Sequence, residues 1–280
     1  MGFLRRLFNR TPGPGPKAAL PPAPSRRLCY GQASDVGQGR GDNQDACLAI
    51  VSNQEGAARQ PNFGLFVVAD GMGGYQDGEK ASLLAARVIA QQIADRTYLP
   101  MLAQYGQNQR PALIEALNDA IQQANTAVSE QVPDGGTTLT AVAIYGDLAY
   151  LAHVGDSRAY LMTDGRIEQI TRDHSLVQRL VELEQITPAQ AADHPYRNVL
   201  YRAIGQAEYV ELDNTIIQLP PASKLLLCSD GLWTVVPTSA MLEIIVTSSG
   251  PQDACERLVD TANANGGSDN ITAVLVQLPG

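Results

Sequence analysis

From residue 28 onward the hydrophobic positions fall into short runs and two long helical repeats. LCYGQAS and ACLAIVS read as the first two strands, joined by a polar loop over residues 35–45. A continuous apolar run over 65–69 reads as a buried strand; it stops on Asp70, and three of the next four residues are glycine. Ala81, Leu84, Ala85, Val88, Ile89 and Ile93 recur at helical spacing within 76–96, and Leu113, Leu117, Ile121, Ala124 and Val128 repeat the pattern within 111–131. Both segments are predicted amphipathic helices. The alternating runs TTLTAVAIYGD, LAYLAHVGDS, RAYLMTDG and RIEQIT follow, separated by Gly-Asp and Asp-Gly turns, and predict an antiparallel meander.

The rest of the chain predicts a helix over about 174–184, a short helix after Thr187-Pro188, and an irregular connection over 193–205. Strands VELDNTIIQL and KLLLCSD, helices over 238–248 and 251–264, and a last strand ITAVLVQL complete it. No internal repeat is visible. This order of elements predicts an α+β fold of stacked antiparallel sheets with helices on the outer faces.

Residues 1–27 differ in composition. They carry six of the twenty cationic residues and no acid, and six of the fourteen positions 11–24 are proline. This is expected to be a basic, disordered tail or linker, leaving one compact domain over 28–280. The formal charge of −9 therefore hides a body with fourteen cationic and twenty-nine acidic side chains. Such a surface excludes a nucleic-acid binder and suits a protein that holds divalent cations, although a solvated acidic surface has the same composition. Cys29, Cys47, Cys228 and Cys255 are scattered without a CxxC pair, which predicts free thiols and a cytoplasmic location. No apolar run is long enough to cross a bilayer.

Candidate chemistry lies at the strand ends. LFVVAD ends on Asp70, LAYLAHVGD on Asp156 and KLLLCSD on Asp230; Asp45 precedes ACLAIV and Asp269 precedes ITAVLV. One acid in such a place is a turn residue. Five brought to one end of a sandwich would repel one another unless cations sat among them. Aspartates without a His or Cys cluster point to Mg²⁺ or Mn²⁺. Spacing alone does not bring the five together.

The motifs SDVGQGRGDNQD, VVADGMGG, GGTTLTA, HVGDSRAYL, ITRDHSLVQRLVELEQIT, HPYRNVLYRAIG, LLLCSDGLW and SDNITAVLV run in this order across nearly all of 28–280. Together they resemble the metal-dependent protein phosphatases of the PPM family, the type 2C serine/threonine phosphatases, in their compact bacterial form. The resemblance implies a central antiparallel β-sandwich flanked by α-helices on both faces, a four-layer α-β-β-α arrangement. It implies two central Mn²⁺ or Mg²⁺ ions held by Asp45, Asp70, the Gly71 carbonyl, Asp230 and Asp269, and a third, weaker ion at Asp156. Arg40 matches the arginine that grips the phosphate. The implied reaction is attack of a water bridging two metals on phosphoserine or phosphothreonine in proteins, without a phosphoenzyme. Phosphorylated proteins are the implied partners, with a serine/threonine kinase as a natural counterpart, and the chain is expected to act as a monomer.

The match has departures. Gln44 stands where many members have Glu, Met72 where eukaryotic members carry a histidine proposed as general acid, and Thr234 where some members have another Asp for the third metal. The segment over 175–205 matches a mobile flap beside the active site. Taken singly, Asp35 and Asp42 read as turn or capping groups, Thr137 and Thr138 as strand packing, His153 as a core or edge histidine, His174 as the start of a helix, and His194 as part of the irregular segment. The thiolate-phosphatase spacing CxxxxxR, an aspartyl-nucleophile DxDx, a GxSxG elbow, an HExxH helix and a P-loop are all missing. The alternative is a non-catalytic domain of the same fold used for binding or scaffolding. Degenerate members usually lose a metal aspartate or the arginine, and here all five aspartates and Arg40 are present.

Overall fold

A computed structural model describes residues 27–53, 61–74, 76–103 and 112–280. Apart from Arg27, the predicted tail over 1–27 lies outside the described residues. The strands are β1 (Cys29–Asp35), β2 (Asp45–Ser52), β3 (Phe63–Gly73), β4 (Gly135–Thr137), β5 (Leu139–Tyr145), β6 (Leu148–Val154), β7 (Arg158–Thr163), β8 (Arg166–Gln169), β9 (Asp213–Gln218), β10 (Lys224–Cys228) and β11 (Ile271–Gln277). The helices are α1 (Asp77–Ile93), α2 (Leu99–Ala103), α3 (Leu113–Gln131), α4 (Leu176–Glu182), α5 (Pro188–Ala192), α6 (Asp230–Trp233), α7 (Thr238–Thr247) and α8 (Pro251–Ala264). A π-helical turn, Ala94–Tyr98, joins α1 to α2.

Two antiparallel sheets stack. One runs β1-β11-β10-β7-β8 and the other β2-β3-β5-β6-β9, with β4 paired to the end of β3. Strand alternation sends successive side chains to opposite faces. In β3, Leu65, Val67 and Ala69 pack on α1 and α3, while Phe66 and Val68 face the other sheet. In β10, Leu225 and Leu227 face inward, while Leu226 and Cys228 pack under α7 and α8. Three apolar layers thus separate four layers of secondary structure, the predicted α-β-β-α arrangement.

The meander is broken. β5–β6 and β7–β8 are hairpins, the second turning on Asp164-Gly165 with φ of 51° and 72°. β6 and β7 do not pair: β6 pairs with β9, β7 pairs with β10, and residues 155–157 cross from one sheet to the other. The strand through Asp70 also differs from expectation. It continues through Gly71, Met72 and Gly73, which pair with β4. Glycine is needed there because a Cβ on Gly71 would run into the backbone oxygens of Gln44 and Gly78 where α1 begins. The helix predicted from 174 begins at Leu176, capped by Ser175, whose hydroxyl accepts from the Gln178 N–H. Thr187 caps α5 through a reciprocal capping box with Gln190. All four cysteines are free, with Cys228 and Cys255 buried, and no helix among the described residues is long and apolar enough to cross a membrane.

Leu227 is fully buried between the sheets, whereas Val246 on α7 is largely exposed. Leu227→Ala should cost about 2–5 kcal/mol and Val246→Ala less than about 0.5 kcal/mol in urea denaturation.

Candidate metal and phosphate site

The space between the sheets is apolar for most of its length and polar at one end. Continuing the alternation beyond the apolar positions gives Asp45 on β2, Asp70 on β3, Thr138 before β5 and Thr140 on it, His153 on β6, Ser157 before β7, Ser229 after β10, Asn270 before β11 and Thr272 on it. These inward positions carry oxygens and nitrogens in place of methyl groups, and apart from Asp70 they are buried.

Asp45 and Asp70 are direct partners in the β2–β3 register. Like charges placed opposite each other across a ladder destabilise it. Ser229 Oγ donates to Asp45 Oδ2 at 2.7 Å, while Asp45 Oδ1 is buried with no hydrogen-bond partner. The Asp70 peptide is fixed on both sides: its N–H donates to Thr138 Oγ1 at 3.0 Å, and its carbonyl accepts from Thr137 Oγ1 and the Thr138 N–H, each at 2.9 Å.

Asp230, the first residue of α6, comes within hydrogen-bonding reach of Asp70. Thr234 bonds the Asp230 carbonyl through both its N–H and its hydroxyl, so its side chain is spent on the helix backbone. Asp269 precedes β11 and accepts from Arg40 Nη2 at 2.7 Å. Asn270 staples the Arg40 loop to β11: its Oδ1 accepts from the Gln44 N–H, and its Nδ2 donates to the carbonyls of Val36 and Asp42.

Asp156 lies beyond β6, with its carbonyl accepting from Trp233 Nε1 at 3.0 Å. Arg158 forks onto Asp173, with Nε–Oδ1 at 3.0 Å and Nη2–Oδ2 at 2.7 Å, and its Cζ sits 3.4 Å above the Trp233 ring centre. Asp156, Asp230, Asp269, Arg158 and Trp233 line a cleft of about 860 Å³ walled on its far side by α4, α5 and the segment after them.

Burial sets the electrostatics. It raises the carboxyl of Asp45 to about 7, with the charges of Asp230 and Asp269 adding. Asp156 is pushed to about 8 by burial and then by Asp230 and Asp173, and Asp230 to about 6 by burial and then by Asp269. Asp70 is held well above the usual carboxylate range by burial and by the four other acids. Among the described residues no three Asp, Glu, His or Cys side chains are closed into a ready-made ligand group. Arg40 binds Asp269 at the edge of the cluster. A buried orphan oxygen, an in-register acid pair and a purely oxygen donor set fit a hard divalent cation.

The sequence model described as Protein phosphatase 2C matches residues 38–275. The chain belongs to this family. Among its relatives, the Serine/threonine phosphatase stp of Listeria innocua is 35% identical over 245 residues, covering 87% of this chain and 93% of the relative. The Serine/threonine protein phosphatase PstP of Mycobacterium tuberculosis is 36% identical over 257 residues, covering 90% of this chain and 45% of the relative. The crystal structure of M. tuberculosis PstP/Ppp superposes with a TM-score of 0.74 at 35% identity, covering 90% and 98% of the two chains. A structure of the PstP catalytic domain in complex with two manganese ions gives 0.73 at 34% identity, covering 89% and 97%.

Within this phosphatase fold the structure brings Asp45, Asp70, Asp230 and Asp269 into one electrostatic cluster, with Asp156 beside it and Arg40 at its exposed rim. Asp35 takes a turn role, accepting from the Gly37 N–H and from Asn263 Nδ2. His153 is a core residue held between Thr140 Oγ1 and the Arg172 carbonyl. Thr137 and Thr138 do more than pack, since they fix the Asp70 peptide. Ser157, Ser229, Asn270, Arg158 and Asp173 were not singled out from sequence. Their parity with the inward-facing strand positions is the signal that would have found the first three.

A carboxyl whose folded pKa exceeds its unfolded value of 3.8 favours folding below 3.8 and opposes it as pH climbs through the folded value. His153 acts oppositely: burial lowers it from 6.5 to about 3, so it destabilises the fold only below 6.5. Between pH 6.5 and 8 the carboxyls act without it. The metal-free protein should therefore lose thermal stability across that interval, and saturating Mn²⁺ should raise the Tm more at pH 8 than at pH 6.5 in parallel melting curves.

Proposed function

We propose that this chain hydrolyses phosphoserine and phosphothreonine in proteins with two central Mn²⁺ or Mg²⁺ ions. Asp45, Asp70, Asp230, Asp269 and the Gly71 carbonyl would hold the pair, and Asp156 a third, weaker ion. The observation that carries this reading is the Asp45–Asp70 register pair with the buried orphan Oδ1 of Asp45, an arrangement that costs stability unless a cation sits against it. The relatives' names and the two-manganese complex of PstP support it. A non-catalytic binding domain of this fold is disfavoured because every acid and Arg40 are retained.

When bound, the ions supply an activated water for in-line attack at phosphorus and offset charge on the phosphate oxygens. The protein's own groups do the rest. Arg40 stands at the open rim with its side chain half exposed, and its guanidinium fork can grip two phosphate oxygens where a lysine would offer a single point charge. Ser229 and Thr138 hold the Asp45 carboxylate and the Asp70 peptide against repulsion. Met72 carries no proton to give, and no histidine lines the cleft among the described residues. Water is the proton donor we propose for the leaving hydroxyl. The substrate side of the cleft is formed by the segment over 175–198, which sets what can approach.

Phosphorylated proteins, including a serine/threonine kinase, are the proposed partners. A monomer in the reducing cytoplasm suits the free thiols.

Purified protein should release phosphate from a phosphothreonine peptide with Mn²⁺ and lose that activity in EDTA; no turnover with either Mn²⁺ or Mg²⁺ would defeat the reading. Asp230→Asn should remove most activity and weaken Mn²⁺ binding, whereas Asp156→Asn should lower turnover more than metal affinity. Arg40→Ala should raise KM by about ten- to a hundredfold, the loss of a charge-assisted hydrogen bond of about 1.5–3 kcal/mol, with Mn²⁺ affinity measured alongside.

A further inference from the structure

His174 lies behind Asp156, out of the cleft and almost fully buried. It meets residue 155 twice. The His174 N–H donates to the Gly155 carbonyl at 2.7 Å, and the Gly155 N–H donates to His174 Nδ1 at 3.2 Å. Because Nδ1 accepts, the proton of the neutral ring sits on Nε2. Nε2 stands 3.2 Å from Asp213 Oδ2 at the start of β9, off the line of a full hydrogen bond. Gly155 itself cannot relax: its φ is +105°, and a Cβ there would stand 2.5 Å from the Cβ of Thr138.

The same residue gathers both ends of the segment that walls the cleft. The His174 carbonyl accepts from the Tyr201 N–H at 2.9 Å, Leu176 N–H donates to the Val199 carbonyl at 2.7 Å, and Ser175 bridges Leu200. The imidazole rests against the rings of His153 and Tyr201, with centres 5.1 and 5.6 Å away. One side chain therefore touches the peptide before Asp156, the sheet edge at Asp213 and the closing stem of the wall.

We propose that His174 is a positioning residue that ties Asp156 to the stems of the 175–200 segment through the bond from the Gly155 N–H to Nδ1. The wall of the cleft and the acid beside the central cluster then move as one unit. This rests on the phosphatase reading only in what it says of metal binding and turnover; the tether itself is a property of the metal-free protein.

Two substitutions separate the two ring nitrogens. His174→Asn places an amide oxygen near the position of Nδ1 and keeps the acceptor for Gly155. His174→Gln places its amide nitrogen near the position of Nε2 and keeps a donor toward Asp213, but loses the acceptor. In the metal-free protein, the Gly155 amide should exchange with solvent about tenfold faster in His174→Gln than in wild type, and near the wild-type rate in His174→Asn. In Mn²⁺ titrations, His174→Gln should weaken the lower-affinity step about tenfold and leave the tighter steps unchanged. Its kcat should fall with KM steady, and His174→Asn should recover it. Wild-type exchange in His174→Gln, or equal damage in both variants, would overturn the proposal. Nitrogen NMR of the wild-type imidazole gives a check that needs no variant: Nε2 protonated with Nδ1 as a bare acceptor supports the tether, and the reverse tautomer overturns it. Absence of Mn²⁺-dependent turnover in wild type would sink the phosphatase reading, and the exchange and NMR results would still judge the tether.

Discussion

The structure depends on one unfavourable contact. Asp45 and Asp70 face each other in register, on neighbouring strands, on the side of the sheet that is otherwise filled by Val68, Phe66 and their neighbours. An alanine pair there would extend the inter-sheet core by one layer. Two carboxylates instead leave a desolvated, repelling pair, and burial is the largest cause of the upward shift in both. The stability needed to keep this pair in place comes from elsewhere. It comes from apolar layers on both faces of each sheet, which hold the strands in a register the acids would not choose.

The stacking of two sheets is what turns a repelling pair into a site. β2 and β3 belong to one sheet, and β10 and β11 to the other. Asp230 follows β10 and Asp269 precedes β11, so the second sheet delivers its acids from across the gap. The crossing between β6 and β7 brings Asp156 to the same end. A meander running through β7 in a single sheet would have carried Asp156 along one edge, away from the second pair. The break at Gly155 is therefore part of how the acids come to share one end of the sandwich.

Much of this was legible in the sequence. The strands and the long helices follow from period-2 and period-3.6 patterns, and the two longest helices lie where the apolar repeats place them, because each packs a single apolar stripe on one sheet. The five aspartates were visible as acids flanking apolar runs, three after a run and two before one. Three things were not visible, for physical reasons. The extension of β3 through Gly71–Gly73 looks like chain breaking, since glycine reads as a turn wherever its neighbours are unknown. Here those neighbours are α1 and β4. The β6–β7 crossover has the same local sequence as a hairpin turn, and only the partners of each strand tell them apart. The groups that hold the acids reach them over long separations, Ser229 to Asp45 across 184 residues and Arg40 to Asp269 across 229, and no local pattern records such a bond.

These holding groups decide whether repelling acids stay where the fold puts them. A carboxylate on a free loop escapes repulsion by turning toward solvent, and the cost is then a few rotamers. Here the escape is blocked through the backbone. Thr137 and Thr138 bind the Asp70 peptide from both sides, Asn270 binds three backbone groups of the Arg40 loop, and Trp233 binds the Asp156 carbonyl. Each of these bonds is satisfied on the peptide rather than on the carboxylate, so each fixes position while leaving carboxylate oxygens for another partner. Two holding groups bind carboxylates instead: Arg40 binds Asp269 Oδ2, and Ser229 spends its hydroxyl on Asp45 Oδ2 and leaves Oδ1 bare. Buried polar networks of this kind are costly when half satisfied and rigid when complete. This network is complete at its backbone bonds and incomplete at a buried acid oxygen, where a cation could sit.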